Sequence, residues 1–235
     1  MCGHHATTAA LRLVKIGAPT HGPHRQDTLS LPTASAQAPT PASAAPGPAH
    51  PPPERQWRGV WTDESATQAF AQRLAGNPAI THATLSLHGD LGAGKTTLVR
   101  HLLRALGVEG RIKSPTYAIV EPHRAERCRA LPDRGPLNIW HFDFYRFTDP
   151  REWEDAGFRE LFAAPGLKLV EWPERAAGHL PPIDAEIHIQ TESMPLTSPT
   201  STHDLDLDEA ETVQRSVVVN AFTPRGQQLL EALRS

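Results

Sequence analysis

One short segment of the chain has residue types and a spacing that suit binding of a phosphate group. Residues 89–96 read GDLGAGKT, which fits the pattern G-x-x-x-x-G-K-[ST] at every fixed position. Glycines allow such a loop to turn its backbone N–H groups inward, because a Cβ would block the approach or the required backbone angles. The lysine would bridge the β- and γ-phosphates of a nucleotide, and the threonine hydroxyl would coordinate Mg²⁺. The segment therefore predicts a P-loop.

Two carboxylates that emerge from apolar runs are candidates for the acidic ligand of Mg²⁺. Asp143 lies within IWHFDFYR at residues 139–146, and Glu171 ends LKLVE. A P-loop site needs such a carboxylate at the end of a neighbouring strand. Each could instead be a helix cap or a surface group, but the P-loop in the same chain favours a ligand, Glu171 slightly more than Asp143. Which of the two binds the metal directly stays open.

The elements that position these residues follow from hydrophobic periodicity. A strand containing Leu85 and Leu87 runs into the loop, and an amphipathic helix follows it up to Gly107. A polar loop is expected over residues 122–136. Further strands are expected over residues 117–121, 137–145, 167–171, 186–190 and 213–220, and further helices over residues 63–74, from Asp149 onward, and after Pro224. This alternation predicts an α/β, P-loop NTPase-like domain with a mixed central sheet flanked by helices.

Composition divides the chain into a tail and one domain. The first 56 residues hold ten of the chain's 23 prolines and no Phe, Trp or Tyr, so we expect residues 1–55 to be a disordered Pro/Ala-rich tail. Residues 56–235 form the predicted ATPase domain, in which residues 191–211 are an acidic insert. A net charge of −3 gives no reason to expect a dedicated nucleic-acid or membrane binder. Two distant cysteines and the lack of a long apolar run favour the cytoplasm.

Four motifs in a fixed order resemble the bacterial TsaE (YjeE) family. They are GDLGAGKTT, SPTYAIVEP, HFDFYR and LVEWPER, and the resemblance covers about residues 57–190. Members of that family are ATPase subunits of the machinery that makes threonylcarbamoyladenosine on tRNA that reads codons starting with adenine. The resemblance implies ATP rather than GTP, Mg²⁺, and binding to the TsaB–TsaD heterodimer, so that tRNA is met only indirectly through that complex.

The resemblance also implies roles for individual residues. Lys95, Asp143 and Glu171 are the expected catalytic residues, and Thr96 and Glu171 are the expected metal ligands. Thr116 follows Ser114 and Pro115 in a segment that could move like a switch loop toward the γ-phosphate. The residues expected to contact the nucleotide are Thr67, Asp90, Leu91, Gly92, Ala93, Gly94, Lys95, Thr96, Thr97, Thr116 and Trp172.

Two other functions remain open at this point. A small-molecule kinase shares the P-loop and would need a basic lid, for which the arginines of the 122–136 loop are candidates: Arg124, Arg127, Arg129 and Arg134. A regulatory binding module would use nucleotide only to gate a partner surface. A signalling GTPase is disfavoured, because the sequence contains neither D-x-x-G nor N-K-x-D.

Overall fold

The sheet that carries the predicted loop contains seven strands within the part of the chain that the computed structural model describes. The described residues are 55–115, 119–148, 153, 156–192 and 214–234. The strand order is β1-β7-β6-β2-β5-β4-β3. The strands are β1 (Arg55–Trp61), β2 (Thr84–His88), β3 (Val120–Ala125), β4 (Leu137–Asp143), β5 (Leu167–Glu171), β6 (Ala185–Glu192) and β7 (Gln214–Ala221).

The centre of this sheet is parallel and its two edges are antiparallel. β2 lies between β5 and β6 and is parallel to both, and β4 is parallel to β5. β1 and β6 flank β7 as antiparallel partners, and β3 pairs antiparallel with β4. Parallel strands end at the same edge, so the register pairs Glu171 with Leu87 on one side and with Asp143 on the other. The topology thus brings both candidate carboxylates to the edge from which the loop leaves β2.

Helices cover the two faces of the sheet unequally. In the described ranges the helices are α1 (Glu64–Ala75), α2 (Lys95–Leu106), α3 (Phe158–Ala163) and α4 (Pro224–Arg234), with short 3-10 turns at Pro78–His82 and Pro173–Ala176. α1, α2 and α4 bury the main core with the sheet side chains of one face, among them Leu85 and Ile187. α3 belongs to a second, aromatic cluster built on Phe142 and Val170. Alternation of side chains along the strands separates these two clusters.

Local signals explain where the helices begin and end. The carboxylate of Asp63 accepts a hydrogen bond from the backbone N–H of Ala66 at 2.9 Å, which caps α1. Gly107 ends α2 in the left-handed conformation at φ 102°, where a side chain would be strained. Apolar residues of α2 such as Leu103 and Leu106 are fully buried, and burial of each contributes about 2 kcal/mol.

The mixed α/β fold of a single domain with a P-loop NTPase-like layout is confirmed, and one local prediction is wrong. β3 runs from Val120 to Ala125, so the first residues of the expected 122–136 loop form a strand. Pro122 fits there because β3 is an edge strand, where proline is tolerated. β1 was not predicted from the sequence.

Some predictions concern residues outside the described ranges. They include the predicted helix start at Asp149, the residue Thr116, nearly all of the predicted tail and most of the acidic insert. Across the described ranges, no helix is both long enough and apolar enough to cross a bilayer.

Candidate functional site

The loop between β2 and α2 has the backbone conformation that its glycines predict. Gly89 and Gly94 have φ values of 137° and 109°, in the region where side chains are strained. A Cβ on Gly89 would also collide with the carbonyl oxygen of Ile189 on the neighbouring strand β6. Gly94 immediately precedes the first residue of α2, so the positive end of this helix faces the space enclosed by the loop.

Lys95 lies across this loop and is almost completely buried, at 5% exposed. Its Nζ donates to the carbonyl oxygens of Gly89 at 2.5 Å and Asp90 at 2.8 Å. The same nitrogen lies 3.9 Å from the ring centroid of Trp172, a cation–π distance. Burial lowers the pKa of Lys95, and the nearby carboxylate of Glu171 opposes that shift. A cationic donor is therefore held at the mouth of the loop.

The residue that follows the lysine is hydrogen-bonded to a buried carboxylate. The hydroxyl of Thr96 lies 2.9 Å from both carboxylate oxygens of Glu171, which is 2% exposed. His141 Nε2 lies 2.8 Å from Glu171 Oε1 and holds the carboxylate from the other side. The Thr96 hydroxyl and the Glu171 carboxylate are hard oxygen donors of the kind that Mg²⁺ takes, together with waters and phosphate oxygens. The residues present therefore fit a magnesium ion.

Asp143 is the second carboxylate at this edge of the sheet. It is half-buried, and its Oδ1 accepts a hydrogen bond from the backbone N–H of Tyr145 at 3.0 Å. Burial raises the pKa of Asp143, the Tyr145 N–H opposes this, and the charge of Glu171 adds to the increase. The ring of Tyr145 lies 4.9 Å from that of Trp172, so the segment after Asp143 adjoins the aromatic side of the site.

The structure brings together most of the residues predicted for the site. Around the loop lie Lys95, Thr96, Asp143, Glu171 and Trp172. The remaining loop positions differ in exposure: Asp90, Gly92 and Leu91 are exposed, Gly94 and Thr97 are half-buried, and Ala93 is buried.

Two of the predicted nucleotide contacts are not part of this group. Thr67 is buried in α1, and its hydroxyl donates to the backbone oxygen of Asp63 at 3.5 Å. α1 packs against α2, which places Thr67 on the helix beside the P-loop helix. Thr116 lies outside the described residues. Contacts of both residues with a nucleotide stay predictions.

Two residues that the sequence did not single out also belong to the site. His141 holds Glu171, and the alternation of a strand could have revealed it, because His141 lies two residues before Asp143 and so shares its face. Arg215 on β7 donates through Nε to the carbonyl oxygen of Ala93 at 2.9 Å. Arg215 follows the loop by more than a hundred residues, and no local pattern indicates that the two meet.

The arginines considered as a kinase lid lie elsewhere. The backbone N–H of Arg129 donates to the carbonyl oxygen of Leu106 at 3.3 Å, at the end of α2 opposite to Lys95. The two ends of this 12-residue helix are about 17 Å apart, because each residue adds a rise of about 1.5 Å. Arg124 is paired with Glu126 at 2.9 Å. The contact of Arg129 thus places this part of the segment at the far end of α2, whereas Arg124 lies in the edge strand β3.

Comparisons with known proteins agree on one family. The family model for "Threonylcarbamoyl adenosine biosynthesis protein TsaE" matches residues 61–200, more than half of the chain. A protein named tRNA threonylcarbamoyladenosine biosynthesis protein TsaE from Haemophilus influenzae is 44% identical over 103 residues, which are 44% of this chain and 60% of that protein. The match thus spans less than two thirds of that relative.

Two further similarities come from Bacillus subtilis. Its protein of the same name is 36% identical over 126 residues, 54% of this chain and 71% of that protein. The crystal structure of YdiB aligns with a TM-score of 0.49 at 24% identity, covering 77% of this chain and 95% of that one.

Proposed function

The chain belongs to the TsaE family of threonylcarbamoyl adenosine biosynthesis proteins, and from this premise we propose that it is a P-loop ATPase. It binds Mg·ATP and supports the TsaB–TsaD heterodimer in forming threonylcarbamoyladenosine on tRNA that reads codons starting with adenine. Its hydrolysis is slow and depends on the partner, and it works in the cytoplasm. The observation that carries the proposal is the Thr96–Glu171 pair, a hydroxyl and a buried carboxylate 2.9 Å apart beside the P-loop lysine.

The loop and its lysine bind the phosphates. Backbone N–H groups of a loop with this conformation and the start of α2 would attract the negative charge of a triphosphate. Lys95 Nζ is already at the loop mouth, where it donates to Gly89 and Asp90. These are neutral acceptors, so phosphate oxygens can replace them and form stronger, charge-assisted hydrogen bonds. The ring of Trp172 contacts the same ammonium group, with its centroid 3.9 Å from Nζ.

Thr96 and Glu171 would hold the magnesium ion. A magnesium ion held by these two residues would supply positive charge that offsets the negative charge developing on the phosphate oxygens during phosphoryl transfer. His141 keeps the Glu171 carboxylate turned toward Thr96, so the acidic ligand is already oriented before nucleotide arrives. Such orientation of a ligand by a neighbouring residue is common at metal sites.

Asp143 suits a role in hydrolysis rather than in binding the metal. It is adjacent to Glu171 in the sheet register, and burial raises its pKa. A carboxylate with a raised pKa is a better proton acceptor near neutral pH. In the proposed function Asp143 has one of two roles. Either it positions or deprotonates the attacking water, or it senses the γ-phosphate and changes the position of Tyr145, which passes the change to the partner surface.

Binding of Mg·ADP and Mg·ATP, measured separately, tests these assignments. Glu171→Ala is expected to weaken binding of both nucleotides in a magnesium-dependent way, as loss of a ligand to a hard cation should. Asp143→Ala is expected to retain Mg·ADP binding and to lose hydrolysis or its stimulation by TsaB–TsaD. Glu174→Ala is the matched control, because this carboxylate is nearby but exposed. Circular dichroism of each variant establishes that the fold is intact.

Each alternative predicts a different result. If Asp143→Ala loses Mg·ADP and Glu171→Ala loses only turnover, the two roles are exchanged. If TsaB–TsaD responds to bound ATP without any need for hydrolysis, the chain is a nucleotide-gated binding module. If hydrolysis requires a small-molecule phosphoacceptor and ignores TsaB–TsaD, the chain is a kinase and the proposal is wrong.

A further inference from the structure

A second group of ligand-type side chains lies at the base of the P-loop, on the face of the sheet opposite to α2. His88 is the last residue of β2, and the register pairs it with His188 on β6. Glu186 precedes His188 by two residues and so shares its face. Their neighbours Leu87 and Ile187 point into the main core on the other face. Two imidazoles and a carboxylate therefore converge outside the nucleotide site.

The ligand atoms of these three residues all lie within 4.8 Å of one another. His188 Nε2 lies 3.1 Å from Glu186 Oε2, and His88 Nε2 lies 3.9 Å from Glu186 Oε1. Ligands on a tetrahedral Zn²⁺ with bonds of about 2.0–2.1 Å are about 3.4 Å apart. The observed separations bracket that value, so small side-chain rotations bring the three atoms to ligand spacing.

The surroundings allow an ion to enter. The side chains of His88, Glu186 and His188 are 24%, 12% and 36% exposed, so the group is sheltered yet accessible. His188 also lines a shallow surface groove with Gln190 and Asn220. Three protein ligands with one side facing this groove leave a coordination position for water.

We propose that His88, Glu186 and His188 form a binding site for a divalent transition metal of the Zn²⁺ class. Imidazole ligands select Zn²⁺, Co²⁺ or Ni²⁺ over Mg²⁺, which prefers oxygen ligands only. The site is thus chemically distinct from the Thr96–Glu171 pair. A metal here replaces the hydrogen bond between His88 and the Ser86 hydroxyl, which lies 3.0 Å from the same nitrogen.

The position of the site links it to the P-loop. His88 is followed directly by Gly89, whose Cα faces the carbonyl oxygen of Ile189 on β6. A metal held by His88 and His188 therefore cross-links β2 and β6 where the loop begins. Because the three ligands meet only in the folded state, the ion should raise the melting temperature, and the increase should grow with the logarithm of the ion concentration above the dissociation constant.

The competing explanation is a structural one. The two imidazole rings are stacked, with centroids 4.4 Å apart and planes at 14°, and both approach Glu186. Stacking and hydrogen bonding alone could maintain this arrangement without any metal. The two explanations differ in whether the group binds a transition metal with unit stoichiometry.

Titration of the full-length protein with Co²⁺ distinguishes them, because bound Co²⁺ has visible absorption bands. We expect one Co²⁺ per chain, displaced by Zn²⁺ but not by excess Mg²⁺. His88→Gln and His188→Gln should each weaken Co²⁺ binding at least ten-fold. His101→Gln is the matched control, since His101 also lies 2.9 Å from a glutamate, Glu64, but offers no third ligand among the described residues.

Several results would overturn the proposal. One is unchanged binding of Co²⁺ in His88→Gln and His188→Gln. Another is displacement of Co²⁺ by Mg²⁺. A third is loss of binding in a His4→Ala/His5→Ala variant instead, because these two adjacent histidines offer imidazole ligands elsewhere in the sequence. Melting curves in the presence of chelator show whether the variants fold. The melting curves with Zn²⁺ provide a second readout: wild-type protein and His101→Gln should be stabilised, and His188→Gln should not.

Discussion

We expect the free energy of unfolding to depend on pH through the neighbouring histidines His123 and His141, the second of which contacts Glu171. His123 on β3 lies beside His141, with ring centroids 6.4 Å apart, and His141 in turn holds Glu171. Burial, with a smaller contribution from His141, lowers the pKa of His123 from 6.5 to about 4. The fold therefore disfavours the protonated form of this side chain.

The sign and size of the effect follow from proton linkage. Between pH 6.5 and about 4 the unfolded chain binds a proton at His123 that the folded chain does not, so stability falls as the pH is lowered through this window. Above pH 6.5 His123 is neutral in both the folded and the unfolded chain, so none of this stability is lost. One pKa unit corresponds to about 1.4 kcal/mol, which makes the loss about 2 kcal/mol between about pH 7 and about pH 5.

Urea unfolding of wild type and His123→Gln at these two pH values measures this loss. The substitution removes the titrating group, so the drop in unfolding free energy between the two pH values should shrink by about 2 kcal/mol. His82→Gln is the control, because His82 is exposed, and it should show the same drop as wild type. Equal drops in wild type and His123→Gln would refute the reasoning and would mean that the folded protein accommodates a charged His123.

Three other substitutions or truncations test separate parts of the structure. Lys95→Ala should weaken ATP binding and abolish hydrolysis while the melting transition persists, because this buried amine serves the loop rather than the core; wild-type turnover would contradict the P-loop assignment. Gly226→Ala should lower the free energy of unfolding in urea by about 1–3 kcal/mol, because a Cβ there collides with the carbonyl oxygen of Asp184. A Cβ at Gly76 has more room, so Gly76→Ala should lower it by less than about 1 kcal/mol. Removal of residues 1–54 should leave ATP binding and stability nearly unchanged, and a loss above about 2 kcal/mol would show that the tail is packed.

The backbone conformation of the glycine-rich loop could be predicted from the sequence because everything it needs is contiguous. Backbone angles available to glycine and the start of a helix are local properties. They appear at Gly89, Gly94 and Lys95 as the pattern predicts. β5 could also be predicted from a local pattern. Its apolar run has the length of a strand and ends on Glu171, and the strand has the predicted bounds, Leu167–Glu171.

Local patterns were less informative at the edges of the sheet. β3 begins later than the predicted strand and includes Pro122, because an edge strand tolerates proline and polar residues that a central strand does not. β1 was not predicted at all. Most of its residues are exposed or half-buried, so its sequence shows little alternation between apolar and polar residues, and it forms by pairing with β7, which is far along the chain.

The sequence by itself determined the loop, the helix that follows it and the two candidate carboxylates. Only the tertiary structure decided that β6 lies on the other side of β2, that His141 holds Glu171, and that Arg215 reaches the carbonyl oxygen of Ala93. Strand order and register depend on which surfaces bury most apolar area together, and this is a property of the whole chain. A residue that acts through such a pairing leaves no local pattern by which it could be recognised.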